Sequence, residues 1–140
     1  MRLLILYMFS LSLSSPLIAQ MKIASATPVK VLTVPTATLK VTEYRDGSYG
    51  FTYQNILSQK PDLITIVCKD RAEANFFIKD IRKAFASKEG MASKVNYGNS
   101  QIALIPASNG SVFMRVEAKP DKISAFEINR FTFRQINILE

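Results

Sequence analysis

Apolar residues recur along this chain in three rhythms, and each rhythm predicts a different element. Residues 3–13 form a nearly unbroken apolar run, diluted only by Ser10 and Ser12. Between 70 and 88 the spacing changes to threes and fours: Ala74, Phe77, Ile78, Ile81, Ala84 and Phe85 fall on one stripe of a helix. Asp70-Arg71-Ala72-Glu73 in front of that stripe has the form of a capping box, and Gly90 stands just past its end. Almost everywhere else apolar and polar positions alternate, the two-residue period of half-buried strands.

The strands are punctuated by turn chemistry. Residues 29–34 alternate weakly and predict a first strand. Residues 39–45 and 48–54 flank Asp46-Gly47, a two-residue hairpin signal. Such a turn pairs Arg45 with Ser48, Tyr44 with Tyr49, Thr42 with Phe51 and Lys40 with Tyr53. Pro61-Asp62 introduces an apolar strand over 63–68. Segments 101–106 and 111–117 flank Ala107-Ser108-Asn109-Gly110, a second hairpin, and Pro120-Asp121 turns the chain into a strand over 122–128.

The closing segment, FEINRFTFRQINILE, reads two ways. Phe126/Ile128 and Phe131/Phe133 alternate as two strands around Asn129-Arg130, whereas Ser124-Ala125-Phe126-Glu127 has capping-box form. The hairpin is preferred, because a helix across the segment sets Phe126 and Phe133 opposite its main apolar arc. No internal repeat is evident. The expected architecture is α+β: about seven to nine short strands in hairpins, forming a mainly antiparallel sheet, with the helix over 70–88 packed on one face.

The apolar start carries its own expectation. Arg2 precedes the run, Ser14-Ser15-Pro16 break it, and the small Ala19 follows. That order describes a secretory signal, and the run is shorter than the roughly 20 apolar residues of a membrane-spanning helix. Cleavage is expected after Ala19, with Ala24-Ser25-Ala26 as the alternative site. Residues 20–28 then form a flexible lead-in, residues 29–140 a single domain, and the product lies outside the cytoplasm.

Composition narrows the chemistry. The net charge of +7 favours anionic partners. Histidine is absent, which removes Ser-His-Asp and Cys-His catalysis and nearly all His-containing metal sites. The single cysteine, Cys68, excludes an internal disulfide and closes the apolar run 63–67, as a core thiol does. Carboxylates form no obvious pair; a hydrolase would have to join Glu43 to Glu117 or Glu127. No catalytic residue, metal or cofactor is therefore predicted, and a small hydrolase is the weakest reading.

Two surfaces remain as candidates. The two-residue turn puts Tyr44, Tyr49, Phe51 and Tyr53 on one face, beside Lys40 and Thr42. Such a platform stacks sugar rings or bases, at about 1–3 kcal/mol per base. The same face can equally be core, with its hydroxyls at the rim. On the helix, Arg71, Lys79, Arg82 and Lys83 share a sector with Asn75, a stripe suited to a polyanion or an anionic surface, or simply a solvated face. Few aromatics interleave with it, so nucleic acid is poorly supported. Asn109-Gly110-Ser111 fits both an N-glycosylation acceptor and a turn. The expected function is an exported, non-catalytic binding domain for an anionic or glycan-like partner or another exported protein. The alternative is a structural subunit of an extracytoplasmic assembly, docking through its sheet edges.

Overall fold

The Asp46-Gly47 turn sets the register of the first sheet, and it does so with three residues rather than two. In the computed structural model, which describes residues 27–33, 38–98, 100–118 and 122–136, strand β2 (Leu39–Tyr44) runs into β3 (Tyr49–Gln54) through Arg45-Asp46-Gly47. The Gly47 N–H donates to the Tyr44 carbonyl at 3.0 Å, and the Tyr44 N–H donates to the Ser48 carbonyl at 3.0 Å. Gly47 takes φ 84°, the left-handed position that closes a three-residue hairpin. The Asp46 carboxylate then accepts from both the Ser48 N–H (3.0 Å) and the Ser48 hydroxyl (2.6 Å).

This corrects the expected pairing. Leu39 faces Tyr53, Val41 faces Phe51 and Glu43 faces Tyr49, a slip of one residue. Because side chains alternate, that slip reverses the face of one strand relative to the other. Tyr49, Phe51 and Tyr53 join Leu39 and Val41 in the core, while Lys40 and Tyr44 sit on the other face. Two apolar rows meet on one side, so burial favours the observed register.

The first sheet has the order β1 (Pro28–Val31), β2, β3, β4 (Leu63–Cys68), antiparallel throughout. Helix α1 (Arg71–Ala86) follows, inside the predicted 70–88. The Asp70 half of its capping box is made, with Asp70 accepting from the Glu73 N–H at 2.8 Å, while Glu73 reaches one residue further back and accepts from the Lys69 N–H at 2.6 Å. The second sheet repeats the pattern with β5 (Ser93–Tyr97), β6 (Ser100–Pro106), β7 (Val112–Ala118) and β8 (Lys122–Ile128), and helix α2 (Arg130–Ile136) closes the described chain. Among the described residues the fold is α+β, eight antiparallel strands in two four-stranded sheets with two helices. The signal segment 1–19, both cleavage sites, lead-in residues 20–26 and Pro120-Asp121 lie outside the described residues.

Helix α2 corrects the preferred hairpin reading of the last segment. Asn129 is its cap: the side-chain oxygen accepts from the Thr132 N–H at 2.8 Å and the carbonyl from the Phe133 N–H at 2.9 Å. Thr132 and Ile136, one turn apart, are buried, and Phe133 packs beside them. Ser124, offered above as a cap, instead lies buried within β8.

The two halves also form a structural repeat, contrary to the reading of the sequence. Each is four antiparallel strands and then a helix. The central hairpin of the second half uses the same device as the first: Gly110 at φ 78°, and Asn109 accepting from the Ser111 N–H (3.0 Å) and hydroxyl (2.6 Å). Only the short string Asp/Asn-Gly-Ser and the Asp70 and Asn129 caps carry the likeness, too little to stand out along the chain.

The halves exchange helices. Helix α1 lies against β5, β6 and β7 of the second sheet as well as β4, and α2 touches β2 of the first sheet and β8. The result is one shared core, where Phe77 of α1 meets Phe51 edge-on at 5.0 Å and Tyr97 at 4.8 Å. Tyr53 crosses between sheets to Phe126 (5.4 Å) and to the Ser124 hydroxyl (2.7 Å). Asn55 ties the β3–β4 loop to the rim of β8, accepting from the Ala125 N–H at 3.1 Å while the Ile56 N–H donates to the Ala125 carbonyl at 3.0 Å.

Candidate functional site

The predicted aromatic platform is divided by the sheet. Tyr49 and Tyr53 are 5 % and 1 % exposed and belong to the core. Burial raises the Tyr49 phenol above its usual range, aided by the Glu43 charge, and burial pushes the Tyr53 phenol up to about 12. Tyr44 and Lys40 remain on the outer face. The Tyr44 ring lies over Gly50, where an added Cβ would meet its Cε2 at 2.8 Å and the Thr65 methyl at 3.1 Å. Glycine there lets the ring rest against the strand, so Tyr44 covers backbone rather than joining an open row of aromatics.

The basic stripe is present on α1, and its members differ. Lys79 is exposed, its Nζ 5.8 Å from the centre of the Phe76 ring. Lys83 is exposed and 3.8 Å from Asp80, a long pairing of little energetic consequence. Arg71 starts the helix. Arg82 leaves the stripe: it is half-buried, with its guanidinium carbon 5.8 Å from the centre of the Phe133 ring on α2.

That contact marks a site missed in the sequence. An open cleft of about 440 Å³ lies between the helices, lined by Arg82, Phe85, Ala86, Arg130, Phe133 and Arg134. Arg82, Phe85 and Ala86 come from the last turns of α1, where spacings of three and four put them on one side. Arg130, Phe133 and Arg134 repeat that spacing on α2. Arg-x-x-Phe thus occurs once on each facing helix, and the two phenyl rings meet at 5.1 Å. Reading Asn129-Arg130 as a turn and the residues after it as a strand hides the pattern, because Arg130 then leaves the element that carries Phe133, and Phe133 and Arg134 point to opposite faces.

The cleft joins three guanidinium groups to an apolar floor, and among the described residues no carboxylate lines it. Arg82 is itself engaged within the fold, which leaves Arg130 and Arg134 as the exposed cations of the cleft. The acids of α1 are engaged elsewhere. Glu73 holds the helix cap, and Asp80 accepts from the buried Tyr97 hydroxyl at 2.6 Å. Guanidinium groups bind carboxylate or phosphate through paired, charge-assisted hydrogen bonds, and the rings suit an apolar body attached to such an anion. Cys68 is fully buried, and burial pushes its thiol up to about 12, so it is not poised as a nucleophile. Among the described residues no group of three or more Cys, Asp or Glu is placed to hold a metal. Compared with protein-family models, curated proteins and solved structures, the chain matches none.

Proposed function

We propose that this chain is an exported, non-catalytic binding domain that captures an anionic group in the cleft between its two helices. The carrying observation is the placing of the exposed Arg130 and Arg134 beside the Phe85–Phe133 pair, with no acid among the described residues that line the cleft. Export is supported by the leader-like apolar start, and a binding role by the lack of histidine and of paired acids. The buried tyrosines give a sugar-stacking surface little support, so charge is the stronger recognition element.

Phenyl phosphate is the direct probe, since it offers one anion and one ring. Titrated into the labelled protein, it should shift the amide resonances of Ala86 and residues 130–134. Affinity should fall as salt screens the charges, and Arg130→Gln/Arg134→Gln should abolish the shifts. Phenol, the neutral counterpart, should leave those resonances unmoved. Equal response to phenol, or an unchanged response in the double variant, refutes the assignment.

The structural-subunit reading has one observation in its favour: edge strand β1 is exposed at all four residues, including Val29 and Val31. Association through such an edge makes mass by light scattering rise with protein concentration. A constant monomer mass counts against self-assembly.

A further inference from the structure

Two phenylalanines stand in solvent beside these charges. Phe131, 69 % exposed, lies on α2 between Arg130 and Arg134 in the chain, and Phe76, 61 % exposed, lies on α1. Phe76, Lys79 and Lys83 share one face of α1 through spacings of three and four. Arg82 is three residues beyond Lys79 and carries the positive face into the wall of the cleft. Exposed rings set among lysines and arginines on helices compose a surface suited to a partner both anionic and apolar. A phospholipid layer offers the two at different depths: phosphates at the surface and hydrocarbon just below. An acidic peptide would match the charges but would leave Phe131 and Phe76 in water.

We infer that the face formed by α1 and α2 docks on an anionic phospholipid surface, an inference that rests on the anion-binding reading of the cleft. A headgroup phosphate seats against Arg130 and Arg134, while Phe131 and Phe76 enter the boundary between headgroups and acyl chains. Attachment is peripheral; among the described residues no helix is long and apolar enough to cross a membrane.

The test is co-sedimentation of the full chain with vesicles of phosphatidylcholine, with and without about a third phosphatidylglycerol, an amount that gives an appreciable negative surface potential. Binding should require the anionic lipid and fall with salt. Arg130→Gln/Arg134→Gln should lower partitioning by about 25-fold, or about fivefold per charge. Phe76→Ser/Phe131→Ser should lower it as well, while leaving the phenyl phosphate response of the cleft intact. All four positions are exposed, and unchanged circular dichroism should confirm that the variants fold. Failure to bind anionic vesicles while phenyl phosphate still binds overturns the membrane inference and leaves anion capture standing. Loss of both responses overturns both. Equal binding to neutral and anionic vesicles, undiminished binding by the double serine variant, or binding to a poly-glutamate peptide instead of vesicles also refutes lipid docking.

Discussion

Removing one oxygen from Tyr53 should destabilise the fold without opening a cavity of consequence. The Tyr53 hydroxyl and the Ser124 hydroxyl meet at 2.7 Å, and both residues are buried, one in each sheet. Tyr53→Phe keeps the ring against Phe126 but leaves the serine hydroxyl without that partner in a site shielded from water. A made hydrogen bond is worth about 0.5–1.5 kcal/mol, and an orphaned buried group costs about 1–3 kcal/mol. A loss of about 2 kcal/mol is expected, or roughly 8 °C in Tm for a domain of this size. Ser124→Ala should cost a similar amount, because it orphans the phenol. The double variant removes both groups and should lose less than the two singles combined, with a coupling of about 1–2 kcal/mol. Urea denaturation of the four proteins measures the cycle. Additive singles, or a Tyr53→Phe variant melting within about 1 °C of wild type, would refute the inter-sheet bond. A variant of unchanged stability and weakened ligand capture would restore Tyr53 to a binding role.

Asn129→Ala should cost about 1 kcal/mol by removing the cap of α2, whereas Asn129→Asp should retain most of the stability; backbone chemical shifts over 130–136 report the helix directly, and strand-like values would contradict it. The Cys68 thiol should resist a thiol-exchange reagent at pH 8 in the native protein and react at the rate of a free cysteine only in denaturant, so rapid native labelling would show that the thiol is not enclosed. Stability should also fall on the alkaline side. Burial raises the Cys68 thiol and Tyr53 phenol to about 12, and raises the Tyr97 phenol, aided by its hydrogen bond to Asp80 and that charge. The native chain therefore retains protons that the unfolded chain releases above about pH 8.5 for the thiol and about 10 for the phenols. Their contribution is whole below those values and is lost as pH rises towards 12, so Tm measured from pH 8 to 11 should decline, and a flat profile would count against the buried placement.

Several elements were legible because their signals are local. The α1 stripe and capping box lie within a single helix, and residues 74, 77, 78, 81 and 84 are its buried positions. The apolar run ending at Cys68 became β4, and both Gly-containing turns became hairpins. The binding surface was less legible. Its charged half was visible in Arg82, but Arg130 and Arg134 were hidden by reading the segment as a hairpin around Asn129-Arg130. That error arose from a real ambiguity: over seven residues, Phe131 and Phe133 alternate while Thr132 and Ile136 share a helical face. The side-chain cap supplied by Asn129 accompanies the helical arrangement.

By itself the sequence determined the strand-rich α+β character, the long helix, the positive charge and the residue types from which any chemistry must be built. These follow from composition, the period of apolar positions and the torsional freedom of glycine, none of which needs distant partners. Only the tertiary structure decided the face of each tyrosine, because Asp46 binding Ser48 and the burial of Leu39 and Val41 against Phe51 shift the first hairpin by one residue. It alone decided the cleft too. Arg82 and Arg134 lie far apart in the chain, and they line one cleft because the second helix comes beside the first, Phe85 against Phe133, as each packs against a sheet of the opposite half.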